Sequence, residues 1–350
     1  MMRKTHVLSG AVAAFAFSIV LAGCGSDIPR SSKEARKALA AKEGGVVDSF
    51  QSKALAGNGL GESATRSIMI SLPPSYYAEA TRQYPVCYFL HGHSAAPGFI
   101  FQNRKYIAKL MADGKIPEMI LVEPDGTTRF GGGFYSNSPM TGNYEDYLTG
   151  ELVAFIDANY RTIPAPGGRA LAGFSMGGFG ALARAFARPD VYGAVYAYGP
   201  GVLEPETGLA TAMEAWNDDA QFLSAYASVF SPTPGAKTPG KVPKLDGSPG
   251  DAEIVADWNA GFGDWERKLD AYLAGDARLR AIKFGYGITD EYRFIREGCE
   301  YLTREMTAKG IAHDFIVGNA GHVFRLSQVV EDMLPYLGSN LDKAGDTPAK

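Results

Sequence analysis

The chain has 350 residues, of which 46% are hydrophobic and 21% are charged. This composition is typical of a globular protein and excludes a disordered, collagen-like or coiled-coil chain. The 34 Lys and Arg residues against 38 Asp and Glu residues give a formal net charge of −4, so the attraction that nucleic acid exerts on basic proteins is missing and we expect no nucleic-acid partner.

The first 23 residues have the pattern of a bacterial export signal. An apolar stretch from Val7 to Leu21 follows a short basic head and is shorter than a membrane-spanning helix. Ala22 and Gly23 before Cys24 resemble the lipobox of bacterial lipoproteins, in which the cysteine is acylated and becomes the first residue. We expect a lipoprotein signal peptide over residues 1–23 and a lipid anchor such as palmitate on Cys24; the alternative is an ordinary secretory signal cut near the same place.

A lipidated Cys24 predicts a location in the bacterial cell envelope, outside the cytoplasm and attached to the membrane. The residue after the cysteine is Gly25 and not Asp. In the resemblance to Gram-negative lipoproteins, this residue favours the outer membrane or a periplasmic face. We divide the remaining chain into a tether (24–45), one folded domain (46–340) and a C-terminal tail (341–350).

Strands and helices alternate along the folded domain. The predicted strands in chain order are "RSIMIS", "PVCYFL", "MILVEP", "RALA", "GAVYAY", "AIKFGYG" and "AHDFIVG". The predicted helices cover 99–112, 144–160, 291–309 and 323–337, and a further Ala-rich helix follows Ser175 and ends before Pro189. The first strand alternates and is expected to be antiparallel, whereas the later strands are continuously apolar, as in a sheet buried on both faces. This order predicts an α/β fold with a mostly parallel central sheet and helices on both faces.

Residues 201–277 depart from this alternation and are predicted to be an insertion, or cap-like segment, after the sixth strand region. The segment carries aromatic residues that have two readings, either the lining of an acyl or sugar cleft or packing in the core. They are Trp216, Tyr226, Trp258, Phe262 and Trp265.

Two cysteines remain besides Cys24. Cys87 lies in a strand-like segment and Cys299 in a helix-like one, which favours two buried thiols over a disulfide bond. No Cys and His spacing suggests a zinc site, and we expect neither a metal nor a cofactor.

The sequence Gly173-Phe174-Ser175-Met176-Gly177 fits the pattern G-x-S-x-G. In this pattern small residues let a strand turn sharply into a helix and expose a serine hydroxyl. In a glycine-rich chain the pattern also arises by chance, but here it follows a predicted strand and opens a predicted helix. Ser175 is therefore the candidate nucleophile.

A serine nucleophile needs a base within hydrogen-bond reach. Among the five His residues, His6 lies in the signal and His313 in a predicted strand. His322 lies in the loop "GNAGHVF" after the last strand, where a base is well placed. The alternative is an ordinary surface histidine.

A serine nucleophile and its base also need a third residue, an acid that orients the base. Asp290 ends the strand "AIKFGYGITD", at the carboxyl edge where open α/β sheets carry their sites. The adjacent Glu291 is the rival, and Asp290 is also a candidate helix N-cap.

The oxyanion that forms during attack on a carbonyl needs two hydrogen-bond donors. The backbone N–H of Met176, directly after the nucleophile, is one candidate. The backbone N–H of His93 in "LHGH" is the other, with Gly92 allowing close approach. The competing interpretation of His91 and His93 as a metal-binding pair lacks nearby carboxylates in the sequence.

Several segments resemble one known family. "LPPSYY", "YPVCYFLHG", "GFSMGGFGALARAFARPDVYGAV", "GITD" and "GNAGHVF" are similar to the esterase family of the α/β-hydrolase superfamily that contains esterase D, feruloyl and acetylxylan esterases and mycolyltransferases. The resemblance implies Ser175 as nucleophile, Asp290 as acid, His322 as base, and the N–H groups of His93 and Met176 as the oxyanion hole. Two segments depart from the family pattern, "YGPG" at 198–201 and "GNAGH" before the loop histidine.

The residues and the resemblance together predict a serine carboxylic-ester hydrolase that forms an acyl-enzyme on a small acyl or carbohydrate-linked ester. Two alternatives remain at this stage. One is an acyltransferase that uses the same three residues, and the other is a non-catalytic envelope binding protein with this fold.

Overall fold

A computed structural model describes residues 43–343 of the chain. The predicted signal peptide, Cys24 and most of the tether lie outside the described residues, as do residues 344–350 of the tail. The strands are β1 (Gly45–Gln51), β2 (Thr65–Ser71), β3 (Val86–Leu90), β4 (Ile120–Pro124), β5 (Asn137–Ser138), β6 (Gly142–Asn143), β7 (Arg169–Phe174), β8 (Ala194–Tyr198), β9 (Ala281–Gly287) and β10 (Asp314–Gly318).

Eight of these strands form one sheet in the order β1-β2-β4-β3-β7-β8-β9-β10. Within the run β4-β3-β7-β8-β9-β10, each pair of adjacent strands is parallel. Strand β2 is antiparallel to β1 and β4, which confirms the antiparallel strand expected from "RSIMIS". Strand β1 was not predicted, because its sequence "GVVDSFQ" mixes polar and apolar residues and forms an edge strand only by pairing with β2.

The helices are α1 (Phe99–Gln102), α2 (Arg104–Ala112), α3 (Tyr144–Asp146), α4 (Leu152–Asn159), α5 (Met176–Ala187), α6 (Gly208–Trp216), α7 (Ala220–Phe230), α8 (Pro249–Phe262), α9 (Trp265–Ala274), α10 (Arg293–Ala308), α11 (Leu326–Gln328) and α12 (Leu334–Asn340). A π-helical segment joins α3 to α4, and another joins α11 to α12. The single helix predicted over 99–112 is two helices, and Asn103 between them donates a side-chain hydrogen bond to the Phe99 carbonyl at 2.8 Å.

Helices cover both faces of the sheet, which confirms the predicted layers. Strand β3 is buried along its whole length, and its side chains alternate between two cores. Tyr88 and Leu90 pack with residues of α4, α5 and α10, while Cys87 and Phe89 pack with residues of α2 and α12. A strand buried on both faces needs apolar residues at every position, which is why the pattern was readable from the sequence.

The predicted insertion contains α6 to α9. Tyr226, Trp258 and Trp265 are fully buried in it, so these three aromatic residues belong to the core. Cys87 and Cys299 are both buried free thiols, as predicted. Within residues 43–343, no helix combines the length and the apolar character that crossing a membrane requires.

Candidate active site

Ser175 lies at the sharp turn between β7 and α5. Its backbone has φ 56° and ψ −120°, a strained conformation for a residue with a side chain. A Cβ at Gly173 would overlap the backbone of Gly177, and a Cβ at Gly177 would overlap the Leu90 carbonyl oxygen. The two glycines of the motif are thus required by backbone packing, and their absence of side chains allows the turn that exposes Ser175.

The structure brings Ser175, His322 and Asp290 into one hydrogen-bonded chain, although they are widely separated in sequence. The Ser175 hydroxyl lies 2.9 Å from His322 Nε2. His322 Nδ1 lies 2.8 Å from Asp290 Oδ2. In the neutral tautomer that carries its proton on Nδ1, the imidazole donates to Asp290 and accepts from Ser175, which is the arrangement that a general base needs.

Asp290, and not Glu291, faces the imidazole ring. The side chain of Asp290 is only 1% exposed, and its Oδ1 accepts the backbone N–H of Tyr292 at 2.9 Å. This bond closes a turn before α10, whose N-cap is Tyr292 and not Asp290. Glu291 Oε2 instead accepts the backbone N–H of His322 at 3.0 Å. The rival carboxylate therefore holds the histidine loop, while Asp290 holds the ring.

The environment of Glu291 agrees with an ionised carboxylate. Burial acts to raise its pKa, but hydrogen bonds from the backbone N–H groups of His322 and of Glu291 itself outweigh this effect, so the pKa of Glu291 is lowered.

The His322 ring is held by aromatic packing. Phe174 lies 4.7 Å from it between ring centroids, and Tyr292 meets it edge-on at 4.9 Å. Gly199, in the segment that departs from the family pattern, has φ +55°, and a Cβ there would lie 3.0 Å from His322 Cε1. The "YGPG" departure thus keeps a glycine where the base needs space.

The two predicted oxyanion donors lie beside Ser175. Met176 is the first residue of α5, where a backbone N–H has no acceptor within the helix. The backbone N–H of His93 donates to no acceptor among residues 43–343. A Cβ built on Gly92 lies 3.4 Å from Ser175 Cβ, so the two chain segments are in contact. The arrangement leaves both N–H groups available for an oxyanion.

The side chains of His91 and His93 form hydrogen bonds with backbone groups. His91 Nδ1 lies 2.9 Å from the Gly92 carbonyl, and its Nε2 accepts the backbone N–H of Gly126 at 3.0 Å. His93 Nε2 lies 2.7 Å from the Phe130 carbonyl. Burial lowers the pKa of both imidazoles, so both favour the neutral form. The rings fix the loop that carries the oxyanion donor, and residues 43–343 contain no group of three or more His, Cys, Asp or Glu side chains arranged for a metal.

A glycine-rich loop supports the same region, and sequence reasoning gave it no role. Gly131 has φ +95°, and a Cβ there would lie 2.6 Å from His93 Nε2; a Cβ at Gly132 would overlap the Met176 sulfur. The Gly131 carbonyl also accepts the Ser94 N–H at 3.0 Å. The run of three glycines at 131–133 was the available signal, since close packing against both oxyanion segments leaves no room for side chains.

A cavity of about 230 Å³ opens at Ser175. Apart from the candidate catalytic and oxyanion residues, its lining is mostly aromatic and aliphatic. The main lining side chains are Phe174, Trp216, Asp219, Phe222, Phe262, Tyr292, Phe294 and Ile295. Of the five insertion aromatics named from the sequence, Trp216 and Phe262 line the cavity while also being buried in the core, and the other three are buried in the core and outside the lining.

A mostly parallel sheet with a Ser–His–Asp chain at its carboxyl edge is the architecture of an α/β-hydrolase. Solved structures agree. A ferulic acid esterase superposes with a TM-score of 0.58 at 22% identity, covering 84% of this chain and 96% of that one. The substrate-bound fluorophosphonate-binding serine hydrolase FphF of Staphylococcus aureus gives a TM-score of 0.59 at 14% identity, covering 84% and 97%. The chain has the α/β-hydrolase fold.

Sequence comparison narrows the class further. Residues 62–235, about half of the chain, match the model of the family described as "Putative esterase". The esterase MT1326 of Mycobacterium tuberculosis (strain CDC 1551 / Oshkosh) is 42% identical over 115 residues, which are 32% of this chain and 24% of that protein. The chain thus matches about a quarter of the length of this curated relative. Together these matches support an enzyme of the esterase family.

Proposed function

We propose that this protein is a serine carboxylic-ester hydrolase. The observation that carries the proposal is the hydrogen-bonded chain from Ser175 through His322 to Asp290, with distances of 2.9 Å and 2.8 Å. Ser175 and His322 line a cavity together with His93 and Met176, whose backbone N–H groups have no acceptor among residues 43–343.

The proposed reaction has two halves. Ser175 Oγ attacks the ester carbonyl carbon as its proton moves to His322 Nε2, and the resulting oxyanion accepts hydrogen bonds from the N–H groups of His93 and Met176. The tetrahedral species breaks the carbon–oxygen bond to the alcohol, which leaves with the proton from His322. Water then attacks the acyl-Ser175 carbonyl, gives a proton to His322, and releases the carboxylic acid as Ser175 regains its proton.

The dimensions of the cavity favour a small acyl group. A volume of about 230 Å³ lies below the usual range of pockets for drug-sized ligands. The apolar lining suits a short acyl chain or one ring, while a sugar-linked alcohol would extend into solvent. Names of related proteins, an esterase and a ferulic acid esterase, support a carboxylic ester as the substrate.

Replacement of the nucleophile tests this proposal. Ser175→Ala should abolish hydrolysis of p-nitrophenyl butyrate and covalent labelling by a fluorophosphonate probe, because only an activated serine reacts with that probe. Ser339→Ala, at an exposed position of α12 outside the cavity lining, is the control and should keep both activities. Unchanged labelling of the Ser175 variant, with its thermal unfolding intact, would contradict the proposal.

The envelope location is a separate proposal. It rests on the basic and apolar pattern of residues 1–23 and on Ala22-Gly23-Cys24. In cells fed a clickable palmitate analogue, the full-length protein should be labelled and should sediment with membranes, whereas Cys24→Ala should lose the label. Equal labelling of both proteins would refute lipidation at Cys24.

A further inference from the structure

One carboxylate lines the cavity beside Ser175. The described residues that line the cavity include two histidines and one carboxylate, that of Asp219. Among these lining residues, Asp219 is the only one whose side chain is ordinarily ionised at neutral pH. It lies between α6 and α7 and is solvent-exposed.

The position of this carboxylate is fixed by the backbone. Asp219 is the N-cap of α7, and its Oδ1 accepts the Phe222 N–H at 2.9 Å. Its own N–H donates to the Trp216 carbonyl at 2.9 Å. Among residues 43–343, Asp219 Oδ2 has no hydrogen-bond partner, so a ligand that binds at this lining residue would displace no bond within the protein.

Aromatic rings line the same cavity as this carboxylate. The rings of Trp216 and Phe222 lie 4.7 Å apart between centroids, and both line the cavity with Tyr292. Aromatic faces attract cations through the ring quadrupole, and a neighbouring carboxylate adds Coulomb attraction. A cavity lined by one carboxylate and several aromatic rings is therefore suited to an ammonium group.

The two imidazoles of the cavity do not cancel this charge. Burial lowers the pKa of His93 more than the Phe130 carbonyl and the charge of Asp219 raise it, which favours the neutral ring. His322 must be neutral to take the proton of Ser175. The field of Asp219 also extends across the cavity: burial raises the pKa of Tyr292, and the charges of Glu291 and Asp219 raise it further.

We propose that Asp219 is a specificity-determining residue that makes the cavity prefer esters carrying an ammonium group a few ångströms from the reacting carbonyl over their neutral isosteres. The inference rests on the proposed ester hydrolysis at Ser175. It assigns to the site a class of substrate, a cationic ester, that the nucleophile, acid and base do not themselves select.

The test compares two esters that differ in one atom. They are 2-(trimethylammonio)ethyl butyrate and 3,3-dimethylbutyl butyrate, in which carbon replaces the charged nitrogen. The measured quantity is the ratio of kcat/KM for the cationic ester to that for the neutral ester. The variant is Asp219→Asn, because Asn keeps the capping hydrogen bond to Phe222 while removing the charge. The matched control is Asp218→Asn, which removes the same charge one residue away, at an exposed position outside the cavity lining.

Wild type should show a ratio above one, and Asp219→Asn should lower that ratio by about five- to tenfold, the effect of one unit charge at short range in a partly solvated cavity. Asp218→Asn should leave the ratio unchanged. High salt should lower the ratio of the wild-type enzyme by less than the Asp219→Asn substitution does. Equal ratios in wild type and Asp219→Asn, or an equal fall in both variants, would overturn charge selection by Asp219 while leaving the hydrolase proposal standing. If wild type cleaved neither ester and no p-nitrophenyl ester, the proposed function itself would fail and this inference with it.

Discussion

Which carboxylate orients the His322 ring can be tested by mutation, because the adjacent Asp290 and Glu291 contact this histidine in different ways. In Asp290→Asn, the new amide can still accept the Tyr292 N–H with its oxygen, so the turn before α10 is kept. Its NH₂ group must then face His322 Nδ1, which lies 2.8 Å from the carboxylate in wild type. Two donors cannot face each other, and the ring must adopt the tautomer protonated on Nε2.

That tautomer donates to Ser175 where the reaction requires an acceptor. The variant should therefore lose general-base catalysis and the stabilisation of the imidazolium, which together are worth about 10⁴-fold in kcat, or about 5 kcal/mol. The neighbouring change Glu291→Gln keeps an oxygen to accept the His322 backbone N–H, found at 3.0 Å. Because only a charged hydrogen bond becomes a neutral one, we expect a loss of about fivefold or less.

The assay measures kcat and kcat/KM for p-nitrophenyl butyrate, with thermal unfolding of each variant as the check on folding. Refutation would be a folded Asp290→Asn enzyme within tenfold (about 1.4 kcal/mol) of wild type, especially beside a Glu291→Gln enzyme that is nearly inactive. That outcome would transfer the orienting role to Glu291 and show that the contact with Asp290 is only structural.

Two further predictions concern stability. Gly177→Ala should lower the free energy of unfolding by about 2 to 4 kcal/mol in urea titrations, because its Cβ would overlap the Leu90 carbonyl. The control is Gly250→Ala, which has open space around it and should change the free energy of unfolding by less than about 1 kcal/mol. Losses of similar size in the two variants would refute the packing argument. Burial lowers the pKa of His91 below its ordinary value of 6.5, so its share of stability is present above that pH and is lost as the pH falls through the lowered pKa of the folded protein. The unfolding free energy should fall less between about pH 7 and pH 5 in His91→Gln than in wild type, and equal pH profiles would contradict the buried neutral imidazole.

Local sequence was sufficient for the parts of the site that depend on local geometry. A run of apolar residues in β3 or β7 is readable because both faces of those strands are buried. The turn at Ser175 is readable because Gly173 and Gly177 must both lack side chains where backbone segments touch. The loop position of His322 follows from its place after the last strand.

Other features depend on contacts between distant segments. Trp258 and Phe262 belong to the same helix α8, yet Phe262 lines the cavity and Trp258 does not, although both are buried in the core. The run of glycines indicates a closely packed loop, but only the tertiary structure shows that Gly131 and Gly132 pack against His93 and Met176.

The choice between Asp290 and Glu291 shows the same division. The sequence by itself placed two carboxylates after β9, at the edge where the site forms, and both residue types can orient an imidazole. Adjacent side chains leave the backbone in different directions, so the packing of β9, α10 and the histidine loop decided which carboxylate meets the ring. Side-chain direction at a turn is set by the sum of such long-range contacts, and no local pattern of residues contains that information.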